Sequence, residues 1–586
     1  MFSKPSKKIW PVLGILALIF IYLLGLYTSF QMSLRVFPAD PDGMQSLILW
    51  EGIQTHGWGW ITHWVFIPSD WLIFPIFFHF LGFLIFGDTP WVPLIAGWLI
   101  FVISIFISSL IAYELKTKYA PWIIPILFLF TGTFSYHFGF VSYAVSHNAT
   151  NLLGLLASWL FLRWIKNPTN VLLALIFLVQ LMGGLSDPWM LTAYTIPMAF
   201  VTALFFLLSD KAIDPKEYFS LKNRYFVFFL VLFLCIFLDE TRALGLFNFV
   251  LPSKIVFSYP IAIKTKILIL TQNIGGFLNF FPDSPRYLSL FYELSFLIVF
   301  ILILLSVYYF VLCLKPKLNN EFSQKKLSAL SSPQCAVYWA FLGMIVFSVG
   351  ITCVAFSIIQ LPCEKIIVFS PRFFPWPTRY LVNLYFLLIL FLIISIERNW
   401  KKAPSFLKYL TPIAGLFLIF SGITSDFNYL KTHFFSMPNI QDSRAQEWIQ
   451  YLEKQNLNYG YGHYWEAAAY PVTLFSHSKI VIRPVFFWPH SCRMDFVHES
   501  VTFKNFYESS DWPKNQKNFF VIFTQNDSAS CLKSLSTQFG PPFKILHKRL
   551  ETPLYSSPQI GIGPMGGITE ATILVWDHPL LPSIQK

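Results

Sequence analysis

Asp40 and Asp42 lie within Phe37–Trp50, FPADPDGMQSLILW, directly after the first long apolar run of the chain. Carboxylates beside a bilayer are costly unless solvated or paired, so an acidic pair at the edge of an apolar run marks a candidate functional site. Such a pair can take a proton from an attacking hydroxyl, or hold a divalent ion such as Mg²⁺ or Mn²⁺ through hard oxygen ligands. Asp-Pro-Asp-Gly is also good turn chemistry, and a hydrated turn is the structural alternative. Trp50, Trp58, Trp60, Trp64 and Trp71 crowd the same stretch, where tryptophan anchors at a membrane interface or stacks on a ligand. His56 and His63 can pair with the acids; their spacing matches no closed metal site.

Three further groups carry chemistry. Asp187, in Ser186-Asp187-Pro188-Trp189, either caps the helix that follows or contacts a substrate. Arg372 and Arg379 flank an aromatic and proline-rich stretch, PRFFPWPTRY, where arginine either snorkels to the interface or binds a phosphate through its two-pronged guanidinium. His463 and Glu466, in GHYWE, would share a face if the segment were helical, as an acid/base pair, a substrate contact or a fold element. Asn148-Ala149-Thr150 and Asn526-Asp527-Ser528 match the glycan-acceptor pattern, which is too common to decide anything.

These groups are set in a chain of 586 residues that is 55% hydrophobic and only 12% charged, with mean hydropathy +0.57. A spanning helix needs about 20 predominantly apolar residues, and many stretches qualify. Spans are expected at 9–30, 91–113, 121–140, 149–165, 170–186, 188–208, 225–241, 289–314, 336–358, 380–397 and 409–424, about eleven crossings. The expected fold is a polytopic α-helical membrane protein, residues 1–424 with a large first outer loop at 31–90, followed by a soluble α/β domain at 425–586.

Lys4, Lys7 and Lys8 precede the first run, which outlasts a signal-peptide core and has no A-x-A site after it, so it is read as an uncleaved anchor with a cytoplasmic N-terminus. The net charge of +12 collects in short loops such as Lys116/Lys118, Arg163/Lys166 and Arg398–Lys408. That is the positive-inside pattern, and no basic-aromatic module accompanies it, which argues against nucleic acid as a partner. Two segments resist the scheme. Trp71–Gly87 is apolar but short, and reads as interfacial or re-entrant. Asp239–Tyr287 is basic on the outer side, either a solvated excursion or a surface for phosphate headgroups.

Past residue 424 the apolar density falls. QDSRAQEWIQYLE reads as a capped helix, and KIVIRPVFF, Phe519–Thr524 and Thr572–Trp576 read as strands. Cys492 and Cys531 either form a disulfide in an oxidising compartment or remain free thiols.

The order of a cytoplasmic N-terminus, a first span, an outer loop opening on an acidic pair, further spans and an outer C-terminal domain resembles the C-type integral-membrane glycosyltransferases. GYGHYWEAAAY and KIVIRP look like the C-terminal domain of poorly characterised bacterial members. The resemblance implies a sugar carried on a polyprenyl phosphate and transferred to a glycan, lipid or protein acceptor at the outer, periplasmic face of a bacterial inner membrane. It gives the catalytic role to an acid of the first outer loop, the position of Asp40 and Asp42, with the adjacent Asp-Glu pair of the mannosyltransferases replaced by Asp-Pro-Asp. Arg372 and Arg379 would then hold the donor phosphate, and His56, Asp187, His463 and Glu466 remain candidate substrate contacts. A divalent ion on Asp40 and Asp42 is an open alternative, as are a transporter or flippase of lipid-linked glycan and a non-catalytic scaffold.

Overall fold

The computed structural model describes residues 9–36, 39–65, 71–137, 139–208, 215–242, 333–358, 376–400, 405–431, 434–440, 443–464, 467–487, 492, 494–495, 502–503, 506, 518–523, 528–550 and 570–580. Arg372, Glu466, the span expected at 289–314 and the basic stretch beyond Arg242 lie outside them.

Helix dominates. In chain order the helices are α1 (Ile9–Val36), α2 (Pro41–His56), α3 (Phe77–Phe86), α4 (Trp91–Glu114), α5 (Ala120–Leu129), α6 (Thr133–His137), α7 (His147–Lys166), α8 (Asn170–Ser186), α9 (Ile196–Leu208), α10 (Pro215–Arg242), α11 (Pro333–Ile358), α12 (Val382–Asn399), α13 (Ser405–Leu430), α14 (Ser443–Lys454), α15 (Ala469–Phe475) and α16 (Ser528–Phe539). At about 1.5 Å per residue a hydrocarbon core of about 30 Å takes about 20 residues. Four described helices meet that length and apolarity: Val12–Val36, Trp91–Glu114, Ala336–Ser357 and Arg379–Arg398. Shorter apolar helices cover Leu72–Phe86, Ala120–Leu129, Asn170–Ser186, Leu191–Leu207 and Asn223–Ile236. Large apolar side chains stay exposed on α1, including Leu13, Ile15, Leu16 and Phe20, as a lipid-facing helix requires.

The chain divides into two compact units. The first comprises Met1–Val36, Gly97–Glu240 and Ile255–Met437, and helices joined by turns make up its described residues. The run expected to cross at 121–140 is interrupted: α5 stops at Leu129, Gly132 takes φ +86°, and α6 resumes at Thr133. A Cβ on Gly422 of α13 would lie 1.8 Å from the Phe130 carbonyl oxygen, so glycine is what allows α13 to lie against this opened backbone.

This helical unit has two chemically different ends. At one, Lys166 pairs with Glu114 at 2.6 Å, Glu397 accepts the Ala120 amide at 2.7 Å at the start of α5, and Arg398 donates to the Leu115 carbonyl at 3.3 Å. At the other, Tyr27 donates to the Phe434 carbonyl at 2.7 Å, Arg35 to the Ser436 carbonyl at 2.7 Å, and the Thr133 amide to Ser425 at 3.1 Å.

The second unit comprises Phe37–Ala96, Thr241–Lys254 and Pro438–Lys586. Its strands are β1 (Trp64–Val65), β2 (Tyr459–His463), β3 (Val481–Phe487), β4 (Met494–Asp495), β5 (Thr502–Phe503), β6 (Phe519–Phe523), β7 (Lys544–Arg549) and β8 (Glu570–Trp576). Six of them form a mixed sheet in the order β4-β3-β2-β6-β8-β7. Trp448 and Leu452 of α14 pack with Ile482, Phe520, Ile522, Ile573 and Val575 in its core. Tyr459–His463 is a strand, which overturns the helical spacing that would have put His463 and Glu466 on one face. Successive residues of a strand point to opposite sides, and Gly460 is pressed so close to Phe520 that a Cβ would meet its ring at 2.4 Å.

Residues 37–96 are built into this unit. The Ala39 amide donates to the Ile440 carbonyl at 2.8 Å, and β1 pairs antiparallel with β5, Trp64 opposite Phe503. α3 lays His79 and Phe80 against α2, with His79 Nδ1 3.0 Å from Ser46 Oγ and Phe80 on Trp50, and leaves Phe77, Leu84, Ile85 and Phe86 exposed. Cys492 and Cys531 are disulfide-bonded with Cα atoms 4.8 Å apart, inside the usual range. Cys531→Ser is therefore expected to destabilise this unit by about 2–5 kcal/mol, seen as a lower thermal midpoint in detergent, and alkylation without reductant should leave both cysteines unmodified in the wild type.

Candidate functional site

β2 lies between β3 and β6 and runs parallel to both. The chain leaves β2 through α15 towards β3 on one side, and leaves β6 through α16 towards β7 and β8 on the other. Where connections diverge in this way, the carboxyl ends of the parallel strands border a crevice, the usual ligand position in open α/β sheets. His463 is the last residue of β2 and Tyr464 follows it.

The N-terminus of α2 comes to the same place. Asp40 is its N-cap, accepting the Gly43 amide at 2.7 Å, and Pro41 follows at the first helical position. Asp42 sits in the first turn, where the helix dipole favours a carboxylate. The buried Tyr464 phenol lies in the field of both acids: burial first, then Asp42, Tyr470 and Asp40, raise its pKa well above the ordinary tyrosine value. The phenol is thus a neutral donor beside Asp42. Asp40 has a structural task in the cap, which makes Asp42 the acid better placed to act on a substrate.

Burial lowers the His463 imidazole to about 4, so the ring is uncharged at neutral pH, and among the described residues its Nδ1 has no hydrogen-bond partner. His56, by contrast, is exposed at the end of α2 and stacks on Trp60 with ring centroids 3.9 Å apart, a packing role.

Glu51, further along α2, was not apparent from sequence. Burial, then the charge of Asp88, push its carboxyl up to about 7, against the opposing pull of Arg483. Asp88 itself accepts Trp50 Nε1 at 2.7 Å. A raised folded-state pKa favours the protonated form, so the stability Glu51 contributes is complete below its unfolded value near 4.5 and is lost as pH rises through about 7. Glu51→Gln should remove that dependence: the variant's thermal midpoint should exceed wild type at pH 8 and approach it at pH 5.

The helical unit holds a second cluster. His147, at the start of α7, places Nδ1 2.6 Å from Asp187 Oδ2, with both side chains buried. Thr150 donates to the same carboxylate oxygen and the Trp189 amide to Oδ1 at 3.1 Å. Burial alone would raise the Asp187 carboxyl; the His147 ring, the Thr150 hydroxyl and the Trp189 amide outweigh it and leave the pKa below the ordinary aspartate value. Tyr380 covers the imidazole with ring centroids 4.4 Å apart, and the Arg379 guanidinium lies 5.3 Å from the Tyr380 ring and 5.9 Å from that of Phe140. Asp187 and Arg379, selected separately from the sequence, therefore belong to one cluster through His147 and Tyr380. His147 carried only a weak signal, a polar Ser-His-Asn opening an otherwise apolar helix.

Among the described residues no three His, Cys, Asp or Glu side chains gather as a metal-holding group. Asp40 and Asp42 can offer carboxylate oxygens to a hard divalent ion, with substrate and water completing the shell. Compared with known families and with characterised proteins, the chain matches no family model and no characterised sequence.

Proposed function

We propose that this chain is an integral-membrane glycosyltransferase that moves a sugar from a polyprenyl-phosphate donor to a glycan, lipid or protein acceptor at the outer face of a bacterial inner membrane. The observation that carries the reading is the placement of Asp42, from the segment after the first span, beside a neutral tyrosine at the carboxyl edge of a parallel sheet. In this mechanism the Asp42 carboxylate accepts the proton of the acceptor hydroxyl while its oxygen attacks the anomeric carbon. The bond from that carbon to the phosphate oxygen breaks, and polyprenyl phosphate leaves with the electron pair. His463 and Tyr464 take the role of orienting the acceptor, and Arg372 and Arg379 keep the phosphate-binding role expected of them from the sequence. A Mg²⁺ or Mn²⁺ ion on Asp40 and Asp42 would share the charge on the departing phosphate.

The topology belongs to the same proposal: about eleven crossings, a cytoplasmic N-terminus and a periplasmic sheet unit. The Cys492–Cys531 disulfide supports an oxidising compartment for that unit. The basic end of the helical unit, with Lys166, Arg163 and Arg398, then faces the cytoplasm.

The test is the envelope glycan and glycolipid profile, by mass spectrometry, of a strain lacking the chain and of the same strain complemented with it. A defined sugar mass should vanish in the first and return in the second. A second reading, transport of a lipid-linked glycan, is favoured by the buried acids Asp187 and Asp426 in the helical unit, since transporters place polar groups within the bundle. It predicts full-length carriers accumulating on the cytoplasmic face with no sugar mass lost from the carrier-linked pool.

A further inference from the structure

Asp426, one turn before the end of α13, is fully buried in the helical unit, and no side chain among the described residues hydrogen-bonds its carboxylate oxygens, towards which the Gly132 amide is directed. A buried carboxylate left in this state is strongly unfavourable, so the group either carries a proton or holds a cation. Its surroundings are rich in neutral oxygen. The Tyr136 and Tyr385 hydroxyls lie within its electrostatic reach, and the Gly132 amide faces it. Tyr136 Oη has no hydrogen-bond partner among the described residues either.

Around Asp426 and Tyr136 runs a chain of hydroxyls. Thr131 Oγ1 bonds both Ser135 Oγ, at 2.9 Å, and Tyr385 Oη, and Ser425 donates to Thr133 Oγ1 at 2.9 Å. Gly422, one turn before Asp426, brings α13 onto the Phe130 carbonyl, so backbone oxygen reaches the same place. The basic groups on the elements packed against α13 are committed elsewhere. Arg35 of α1 bonds Gln31 and Ser436, and His137 of α6 has Nδ1 3.1 Å from the Thr133 carbonyl. The remaining titratable groups on α1 are Tyr22, which donates to Trp122 O, and Tyr27, which donates to Phe434 O. Among the described residues no group of three or more His, Cys, Asp or Glu gathers around Asp426.

We propose that Asp426 and the Tyr136, Tyr385 and Thr131 oxygens form a site for a small monovalent cation, sodium or lithium, which replaces the carboxyl proton on binding. One carboxylate matches one positive charge; a divalent ion would demand more anionic ligands than the site offers. The hydroxyls supply the neutral oxygens that replace the ion's water. The site is independent of Asp42, and its test does not depend on sugar transfer.

The experiment is modification of the full-length protein, in membranes, with dicyclohexylcarbodiimide, which attacks protonated carboxyls in apolar surroundings. Peptide mass spectrometry reads the adduct at Asp426, and Asp426→Asn is the control that lacks it. Sodium or lithium, compared with choline at equal pH and ionic strength, should suppress labelling about tenfold through mass action on the unprotonated form. Tyr136→Phe should keep the labelling in choline and lose most of the sodium protection. Equal labelling in sodium, lithium and choline would overturn the proposal and leave Asp426 a structural acid. Absence of labelling in all three, at any pH from mildly acidic to neutral, would overturn it equally, because it would show that the carboxyl never carries an exchangeable proton.

Discussion

Asp42→Asn is expected to reduce sugar transfer by about a hundredfold to ten-thousandfold, the range that a positioned general base contributes. The amide has nearly the shape of the carboxylate but cannot accept the acceptor's proton. Because Asp42 lies in the first turn of α2 and not at its cap, the loss of charge should cost the helix only a fraction of a kcal/mol, about 0.3–1. The protein should therefore reach the membrane at wild-type levels while the sugar mass disappears from the envelope profile.

Asp40 separates the two roles. Asparagine caps a helix about as well as aspartate, so Asp40→Asn should fold normally and, if transfer needs no divalent ion, retain most activity, whereas Asp40→Ala should lose about 1 kcal/mol of stability. Were Asp40→Asn the inactive variant and Asp42→Asn the active one, the assignment of the base would be reversed. Normal transfer by both would remove the acidic segment from the chemistry altogether and bring transport forward.

The reasons why some of this was readable in the sequence are physical. Apolar length announced the four long apolar helices at 12–36, 91–114, 336–357 and 379–398, out of about eleven expected, because a bilayer imposes its thickness on any helix that crosses it. Local signals also sufficed for α14, whose apolar residues repeat at helical spacing, and for β3, β6 and β8, whose aliphatic and aromatic runs favour strands. β2 escaped because two of its five residues are glycine, which lowers strand propensity; here the small residue is needed to admit Phe520. With the strand in place, the helical alternative that would have set His463 and Glu466 on one face falls away.

The site was harder still, since its members are distant in sequence. Ala39 bonds Ile440, and Tyr464 feels Asp42, across some four hundred residues, with nothing local to announce either pairing. Asp42 could be chosen for its chemistry, but its neighbour could not. Likewise Glu51 looks like any exposed helix glutamate until Asp88 and the surrounding burial are placed around it.

His147 and Asp187 supply the largest expected effect on stability. Removing one partner of a buried pair strands the other without compensation, which costs about 3–5 kcal/mol. Asp187→Ala strips the His147 ring, the Thr150 hydroxyl and the Trp189 amide of their acceptor at once, so the folded fraction in membranes should fall sharply and the thermal midpoint in detergent should drop by several degrees. Asp187→Asn should do less harm, since an amide oxygen in the place of Oδ2 still accepts from both His147 and Thr150. Because the Asp187 pKa is depressed, its contribution is present above the unfolded aspartate value and is lost as pH falls through the lower, folded one. The wild type should therefore lose this increment only in strong acid, and Asp187→Asn should not. A double substitution with His147→Ala gives the decisive reading: residues coupled this closely should cost less together than the sum of the single variants. Strict additivity would mean that the two side chains act separately and that the pair does not organise the Tyr380 and Arg379 surface.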